Sequence, residues 1–426
     1  MKLSGTQKPS SILRVALALA AITFSLAVSA QAQTETVLYS FADGASGNPP
    51  QDGVTFDAAG NLLGTTSEGG NFTACSTGCG VAFELSTGTG GGWSETVIHT
   101  FGGGGDGKNP FAGLISDAAG NFYGATGLGY NTIFELSPVA GGGWSKTVLH
   151  YFSDPSGGTG PYANLVFDSA GNLYGTAHNG GNVDCNCGVV FELSPTSTGW
   201  KETVLHTFTG ENGAYPSGNL IFDSAGNLYG TASYGGTGCT YANCGSGLVF
   251  KLSPSSGGGR WTETPLFEFT NHFYGWHPVA GLIFDSAGNL YGTTSYGGNL
   301  GECGGDDGCG LVFELSPRST GGWEETEVYL FGSSDGALPQ AGFVADAAGN
   351  LYSTTSQGGA SNCGTVFKLT PTSGGFWTVS TTYTFTCLDD GGYPTGDLVL
   401  DASGNLYGTA QYGGANGNGV VYEITP

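Results

Sequence analysis

One short phrase, Asp-x-x-Gly-Asn-(Leu/Phe), recurs seven times in this chain and restricts its fold more than any other feature. The copies lie 51 to 62 residues apart and begin at Asp57, Asp117, Asp168, Asp223, Asp285, Asp346 and Asp401. Self-similarity at such a period is typical of proteins built from repeated supersecondary units. We therefore expect seven copies of one unit.

Four runs of strand length accompany each copy. Examples are the apolar stretch 281–284, the segments 290–294 and 310–315, and the alternating run 200–208 that begins with Trp. These runs are rich in β-branched and aromatic residues and are separated by Gly, Pro, Asn and Asp, which predicts a four-stranded antiparallel meander. The Asp and Gly of the recurring phrase predict a hairpin turn, whereas a calcium loop would need more than one carboxylate per copy.

The two ends of the mature chain predict how the repeats close. Residues 35–41 form a fourth strand with no blade before it, and residues 420–424 form a third strand with no fourth after it. Pairing the two removes exposed sheet edges and completes a seventh blade. The sequence therefore predicts an all-β, seven-bladed β-propeller with four antiparallel strands per blade and a 3+1 closure, in one domain over residues 33–426. A linear solenoid would need capping repeats, and none is visible.

The N-terminus has the order of a secretory signal peptide. Lys2, Lys8 and Arg14 precede an apolar run over residues 15–28, and the small residues around Ala32 follow. We expect cleavage after Ala32, so that residues 1–32 are removed. The apolar run is shorter than the roughly twenty residues of a membrane span. We expect a secreted or periplasmic protein without membrane insertion.

The charge balance narrows the possible partners. The chain has 34 acidic and 10 basic residues, and its net charge of −24 becomes −27 once the three signal-peptide cations are removed. Nucleic acids and anionic membranes both require cationic protein surface. We therefore expect neither as a partner.

The ten cysteines of an exported chain predict disulfides, with zinc ligation as the alternative. The spacing pairs Cys75 with Cys79, Cys185 with Cys187, Cys239 with Cys244, Cys303 with Cys309, and Cys363 with Cys387. The spacing supports the Cys185–Cys187 pair least, since residues two apart in an extended chain lie near the upper limit for a disulfide. All ten map to one face of the propeller, because loops between the second and third strands share a face with loops between blades.

Two recurrent motifs carry a family resemblance. Gly-Asn-Leu-Tyr-Gly-Thr-(Thr/Ala) is followed in each copy by Gly-(Val/Leu)-Val-Phe-(Glu/Lys)-Leu or a close variant. Over essentially the whole mature chain, this repeat resembles the Gloeo/Verruco (GloVer) tandem repeat of exported bacterial proteins. The Phe-Asp-x-x-Gly-Asn-Leu-Tyr segment is more loosely similar to NHL-like β-propellers. The resemblance implies no particular activity, and the lack of a surface anchor before Pro426 favours a freely secreted or periplasmic product.

Residues present in most blades are assigned to the scaffold. One tryptophan opens the outermost strand of six blades and is expected to pack between blades, with a stacked cofactor as the alternative. These are Trp93, Trp144, Trp200, Trp261, Trp323 and Trp377. His99, His150 and His206 occupy a position that holds Tyr or Phe in other blades, so we interpret them as packing residues. Function is therefore sought where the copies differ.

The loop that enters the fifth blade is the first departure. It contains His272, Tyr274, Trp276 and His277, and Trp276 is the tryptophan outside the repeat pattern. An exposed aromatic ring near imidazoles suits a flat ligand such as a sugar, with acid–base chemistry available. The alternative is a loop buried against its neighbours.

An acidic loop in the same blade is the second departure. Asp306 and Asp307 lie between two paired cysteines and are the candidate metal ligands. The alternative is a solvated loop tip without a metal.

Polar residues that follow the repeated prolines are the third departure. Asp52, Asn164, Asn219 and Asp397 stand where the other blades have Ala or Gly, and ring closure places Asp52 beside Asp397. Two carboxylates at one channel mouth suit either a cation or an acid and base pair. Tyr234, Tyr296 and Tyr412 each precede a Gly-Gly pair and predict an aromatic rim.

Two functions fit these residues. The first is a monomeric binding or interaction protein that holds a glycan, or an extracellular protein or peptide, on the cysteine-rich face. The second is a carbohydrate-active enzyme, a polysaccharide lyase or glycoside hydrolase, with Asp52, Asp397, His272 or His277 as acid and base. No cofactor is expected, and a structural cation stays open as an alternative. The sequence does not decide whether the protein is an enzyme.

Overall fold

The computed structural model describes residues 33–425, apart from 43, 89, 128–130, 240, 242–243, 256–259, 271–274 and 304–306. The predicted signal peptide at 1–32 lies outside the described residues. Within this range the regular structure is β-sheet, and the helical segments are two short 3-10 turns, Gly104–Asp106 and Pro155–Gly157. No helix among the described residues is long and apolar enough to cross a membrane.

The strands form seven separate antiparallel sheets, one for each predicted blade. The innermost strands are Thr55–Phe56, Ile115–Ser116, Val166–Phe167, Ile221–Phe222, Ile283–Phe284, Val344–Ala345 and Val399–Leu400, preceded in blades one, four and six by Asn48–Pro50, Ala214–Pro216 and Ala337–Pro339. The second strands are Leu62–Glu68, Phe122–Thr126, Leu173–Ala177, Leu228–Tyr234, Leu290–Thr294, Leu351–Gln357 and Leu406–Ala410. The third strands are Val81–Thr87, Thr132–Pro138, Val189–Thr196, Leu248–Ser253, Leu311–Pro317, Thr365–Pro371 and Val420–Thr425. The outermost strands are Trp93–Thr100, Trp144–Tyr151, Gly199–Thr207, Thr262–Glu268, Trp323–Leu330 and Trp377–Thr384, with Thr34–Ser40 in blade seven.

The seventh blade confirms the predicted closure. Its outermost strand is Thr34–Ser40, the first strand of the described chain, and it pairs antiparallel with Val420–Thr425. The register runs from Thr34 opposite Thr425 to Ser40 opposite Val420. The propeller is therefore closed by the two ends of the chain.

The hydrophobic core is divided among the seven interfaces between neighbouring blades. Each interface has one cluster of buried side chains contributed by two blades. At the seam, Phe41 and Val421 from blade seven pack with Leu62 and Phe83 from blade one. The six recurrent tryptophans are partly buried against these clusters, as the repeat predicts.

An aromatic pair recurs at the end of each outermost strand. His99, for example, lies edge-on to Phe101 with ring centroids 4.9 Å apart, and Tyr39 contacts Phe41 in the same way at 5.2 Å. His150 and His206 make the equivalent contacts with the Phe two residues later. These three histidines therefore occupy packing positions in the scaffold.

The recurring Asp-x-x-Gly-Asn phrase forms the hairpin turn between the first two strands. In blade four, Asp223 accepts hydrogen bonds from the backbone N–H groups of Ala225 and Asn227, both 2.9 Å. Its other oxygen accepts from Asn227 Nδ2 at 2.7 Å, and Gly226 has φ +81°. Desolvation raises the pKa of Asp223, but the hydrogen bonds together lower it by more, so the pKa lies below its usual value. The carboxylate therefore stabilises the turn in its charged form. We call the side of the ring that bears these hairpins the turn face.

All five predicted disulfides are present, including Cys185–Cys187, whose Cα atoms are 5.2 Å apart. Nine cysteines lie in or beside loops between second and third strands, and Cys387 follows the outermost strand of blade six. Strands alternate in direction, so these loops share one side of the ring with the entries to the innermost strands. We call this side the open face.

Candidate functional site

In five blades, a non-glycine residue with a left-handed backbone precedes the repeated proline. These residues are Asn109, Tyr215, His277, Leu338 and Tyr393, with φ between 52° and 61°. Their N–H groups donate to carbonyls two residues before the third strand begins, as Tyr215 does to Cys187 at 2.8 Å. A left-handed backbone costs a non-glycine residue roughly 1–2 kcal/mol. The strain is concentrated on the open face, where such outliers often mark a functional site.

Eight aromatic rings form a continuous chain across the open face of blades two to five, which we call the aromatic arc. Consecutive ring centroids are 4.5 to 6.0 Å apart. In order, the rings are Phe111, Tyr162, His178, Tyr215, Tyr234, His277, Tyr296 and Trp276. All eight side chains are half-buried, so each ring is held by its neighbours and keeps an exposed part.

The two histidines of the arc are uncharged at neutral pH. Desolvation, and then the nearby His178, lower the pKa of His277 to about 4. Desolvation likewise lowers the pKa of His178, whose ring stacks on Tyr215 at 4.5 Å with an interplanar angle of 8°. The arc is therefore a neutral aromatic surface.

A central cavity of about 450 Å³ lies on the ring axis and opens on the same face. Every blade contributes the residue that follows its repeated proline. These seven residues are Gln51, Phe111, Tyr162, Ser217, Val279, Gln340 and Thr395. The next residues along the chain, which lead into the innermost strands, lie deeper, because an extended chain advances about 3.3 Å per residue. They include Asp52, Asn219 and Asp397, which form the floor.

Hydrogen bonds join the floor residues around the axis. Asn219 Nδ2 donates to Asp397 Oδ2 at 2.6 Å, although the two residues belong to blades four and seven. Asn219 Oδ1 accepts from the backbone N–H of Asn164 at 2.7 Å. Asn164 Oδ1 and Asp52 Oδ2 both accept from the Gly113 N–H, at 2.6 and 2.9 Å. The four polar residues singled out in the sequence are therefore brought together.

The two carboxyl groups of the floor are neighbours. Asp52 Oδ1 accepts from the backbone N–H of Asp397 at 3.0 Å and from that of Gly53 at 2.7 Å. Covalent geometry then limits the distance between the carboxyl carbons to less than about 8 Å. The pair lies at the floor of the cavity, below the channel mouth where the sequence had placed it.

Asp397 is held in an environment that disfavours its charge. Its side chain faces the cavity and keeps partial solvent contact, but it lies deep in the ring. Desolvation, and then the charge of Asp52, raise the pKa of Asp397 to about 7. Hydrogen bonds from the Gly342 N–H and Asn219 oppose this shift without cancelling it. Asp397 is thus positioned to gain or lose a proton near neutral pH.

Amide side chains line the cavity on the side of the seam. Gln411 Nε2 donates to Gln51 Oε1 at 3.0 Å and to Thr395 Oγ1 at 2.8 Å. Gln51 Nε2 donates to Ser67 Oγ at 3.1 Å. Blades seven and one therefore present hydrogen-bonding groups opposite the aromatic arc.

The other predicted site residues lie in different places. Trp276, His277, Tyr234 and Tyr296 come together in the arc, and the Trp276 ring stacks on Tyr296 at 4.6 Å. Tyr412 lies apart from them, 53% exposed and in contact with Tyr393.

Asp307 lines a separate cleft with Glu302 and Tyr296. Among the described residues, no group of three or more His, Cys, Asp or Glu side chains is arranged to hold a metal ion. His272, Tyr274 and Asp306 lie outside the described residues.

Sequence reasoning missed half of the arc. Phe111, Tyr162 and Tyr215 flank repeated prolines, and His178 directly follows a second strand. The available signal was the variation at these positions between blades, since the proline itself is constant.

Comparison with known proteins identifies the repeat. The sequence model of the Gloeobacter/Verrucomicrobia repeat family matches residues 20–242, 128–303 and 243–426. A search of curated proteins found no relative of this sequence.

Among solved structures, an ancestral GH74 enzyme is 11% identical, with a TM-score of 0.58 over 92% of this chain and 51% of that one. A gluconolactonase from Xanthomonas campestris is 13% identical, with a TM-score of 0.38 over 92% and 99% of the chains. A Bacteroides uniformis protein described as a candidate 6-phosphogluconolactonase is 14% identical, with a TM-score of 0.49 over 88% and 100%. The GH74 likeness supports the propeller fold alone. This chain belongs to the Gloeobacter/Verrucomicrobia repeat family.

Proposed function

We propose that the protein is an exported propeller that binds a carbohydrate on its open face. In this proposal the aromatic arc is the stacking surface and the central cavity is the pocket. The observation that carries it is the unbroken chain of eight half-buried rings leading to a cavity with a polar floor. Ligand pockets typically combine such apolar walls with a few convergent polar groups.

The composition of the arc favours sugars over purely apolar ligands. Tyr and Trp offer a flat apolar face together with a polar tip, which matches the alternation of C–H faces and hydroxyls on a sugar ring. The floor and the seam side supply the amides and carboxylates that hydrogen-bond hydroxyl groups. A ligand that spans both halves would use stacking on one side and hydrogen bonds on the other.

The charge of the site favours a neutral glycan. The described lining of the cavity contains two carboxyl residues and neither Lys nor Arg. The whole chain carries a net charge of −24. An acidic sugar would meet like charge here without a cationic partner, which is unfavourable.

A glycan-array screen followed by titration calorimetry tests the proposal. We expect Trp276→Ala to lower the affinity for the best neutral glycan at least tenfold, because it removes the ring that stacks on Tyr296. The matched control is Phe376→Ala, since Phe376 is 76% exposed in a turn on the turn face. Failure of every neutral glycan to bind, or equal affinities for the two variants, would contradict the proposal.

The second candidate is a carbohydrate-active enzyme acting at the cavity floor. It is favoured by the pKa of Asp397, about 7, beside a second carboxyl group that accepts three backbone hydrogen bonds. Catalytic carboxyl pairs in glycosidases are separated by about 5 to 9.5 Å, a range that this pair can meet. Release of reducing sugar or unsaturated uronate, abolished by Asp52→Asn, would establish turnover. Binding of a glycan without release of either product would contradict the enzyme and support the binding function.

Export and oligomeric state are part of the same proposal. The N-terminal sequence and five disulfides support an oxidising compartment. Mass spectrometry of the secreted protein is expected to find a chain that begins at Gln33, and light scattering is expected to find a monomer. An intact N-terminus or a stable dimer would contradict these two points.

A further inference from the structure

We infer that the open face recognises the end of a glycan chain and not its interior, an inference that rests on the proposed carbohydrate binding. The cavity is a blind pit: it opens on one face and is closed across the axis by hydrogen-bonded side chains. A polymer can enter such a pit only with a terminal residue.

The closure is direct. Asn219 of blade four and Asp397 of blade seven lie as far apart around the ring as seven blades allow, yet they are joined by a bond of 2.6 Å. Asn164 and Asp52 fill the space beside them, and both accept from the Gly113 N–H. A gap spanned by one hydrogen bond is too narrow for a sugar ring to pass.

Two polar groups above the floor are free for a ligand. The Tyr162 hydroxyl and the Gln340 amide belong to residues that line the cavity from blades three and six, again on opposite sides of the ring. Neither group has a hydrogen-bond partner among the described residues. Desolvation raises the pKa of Tyr162, so its hydroxyl stays protonated and can donate. A terminal sugar held between the two would satisfy both.

The size and the walls of the pit fit a terminal sugar residue. A volume of about 450 Å³ lies at the small end of the range for ligand pockets, which suits one or two sugar rings. Phe111 and Tyr162 belong to both the pit and the arc, so the rest of the chain can leave along the arc toward Tyr296. The carboxyl groups on the floor favour an uncharged terminal residue.

The test uses the oligosaccharide that binds best on the array. Titration calorimetry compares it with two derivatives, one blocked at the non-reducing end by a benzylidene group and one converted to a methyl glycoside at the reducing end. We expect one derivative to lose at least 100-fold in affinity and the other to change less than threefold. For longer chains, the number of protein molecules bound per chain should stay at one.

Two substitutions test the pit itself. Val279→Trp fills the mouth of the pit and is expected to lower affinity at least 30-fold, whereas Val139→Trp, at an exposed site on the turn face, should leave it unchanged. Tyr162→Phe and Gln340→Leu should each cost about 3- to 10-fold, the typical worth of one hydrogen bond.

The outcomes separate the two proposals. Binding that survives both blocked ends and Val279→Trp would overturn end recognition while leaving carbohydrate binding intact. An array without any bound glycan would overturn both. Loss of binding on blocking one end, together with loss in Val279→Trp, would support both.

Discussion

The two faces of the propeller differ in how closely the seven repeats agree. On the turn face, each blade has the same hairpin, in which an Asp accepts from two backbone N–H groups and from an Asn side chain. On the open face, the residue before the repeated proline differs between blades and includes Asn109, Tyr215, His277 and Leu338. The agreement maintains the fold, and the variation builds a surface that differs from one side of the axis to the other.

Opening the ring should unfold the protein and so remove both faces, and this is the largest effect that we expect. Deletion of Thr34–Ser40 leaves blade seven with three strands and exposes Val420–Thr425 as an edge. Buried Leu38 is also lost from the seam. We expect no cooperative thermal transition by circular dichroism.

A circular permutant that carries the same seven residues after Thr425, joined by a short turn, is the control for this deletion. It should recover the transition, because Thr34 and Thr425 are paired in the sheet. A truncated protein that melts within a few degrees of the full chain would show that closure contributes little.

Substitution in one hairpin of the turn face should lower stability without affecting binding. Asp223→Ala removes the acceptor for two backbone N–H groups, Asn227 and the Tyr229 hydroxyl. We expect the free energy of unfolding to fall by about 2 kcal/mol in urea titrations. Asp184→Ala, at an exposed site on the open face, should change it by less than about 0.5 kcal/mol. A change in glycan affinity in Asp223→Ala would contradict the division between the faces.

The reverse result is expected for a substitution in the arc. Tyr215→Asn removes the ring that stacks on His178, while Asn tolerates the left-handed backbone, as Asn109 does in blade two. We expect affinity to fall about tenfold, which is about 1.4 kcal/mol, with a nearly unchanged melting temperature. Leu338→Asn, at the equivalent position outside the arc, serves as the control and should bind normally. Equal losses in the two variants would show that the arc is not the binding surface.

One core residue departs from the repeat, and we expect this departure to lower stability without affecting binding. Tyr422 is fully buried where six blades have Phe, and its hydroxyl has no hydrogen-bond partner among the described residues. Tyr422→Phe should raise the free energy of unfolding by about 1 kcal/mol. Tyr407→Phe should lower it, because that hydroxyl donates to Glu423 at 3.1 Å. Destabilisation by Tyr422→Phe would mean that the hydroxyl is satisfied after all.

The outer edge of the ring, which belongs to neither face, should contribute the smallest effect, a dependence of stability on pH. Desolvation, and then the charge of Glu327, raise the pKa of Glu325 to about 7 from its usual 4.5. The folded state thus favours the uncharged carboxyl, so its contribution is complete below pH 4.5 and is lost as pH rises through 7.

Glu325→Gln should therefore match the wild type at pH 4.5 and exceed it at pH 8. The expected gain is less than about 1 kcal/mol, since the side chain is only half-buried. Urea titrations at the two pH values measure it. Exposed Glu324 provides the control, and a Gln substitution there should leave the pH profile unchanged. A gain for Glu325→Gln that is the same at both pH values would contradict the assignment.

The repeat made most of the fold predictable. Strand-length runs, turn residues and the unmatched ends give seven blades and the 3+1 closure, because each is decided by local sequence and by the need to pair sheet edges. The disulfide pairs followed from short spacing for the same reason. The sequence also predicted that Asp52 lies beside Asp397, because ring closure makes blades one and seven neighbours.

Contacts across the axis were beyond the sequence. Asn219 and Asp397 are separated by 178 residues, and nothing local indicates that their side chains meet and close the cavity. The aromatic arc could not be predicted either, since its rings come from four blades and include His178, which no sequence pattern had singled out.

The sequence by itself determined the scaffold, because every blade repeats the same alternation of apolar residues and turns. Only the tertiary structure decided the site, because closing seven blades on one axis brings their variable positions into contact. Those contacts depend on where the blades stand around the ring, and no single repeat contains that information.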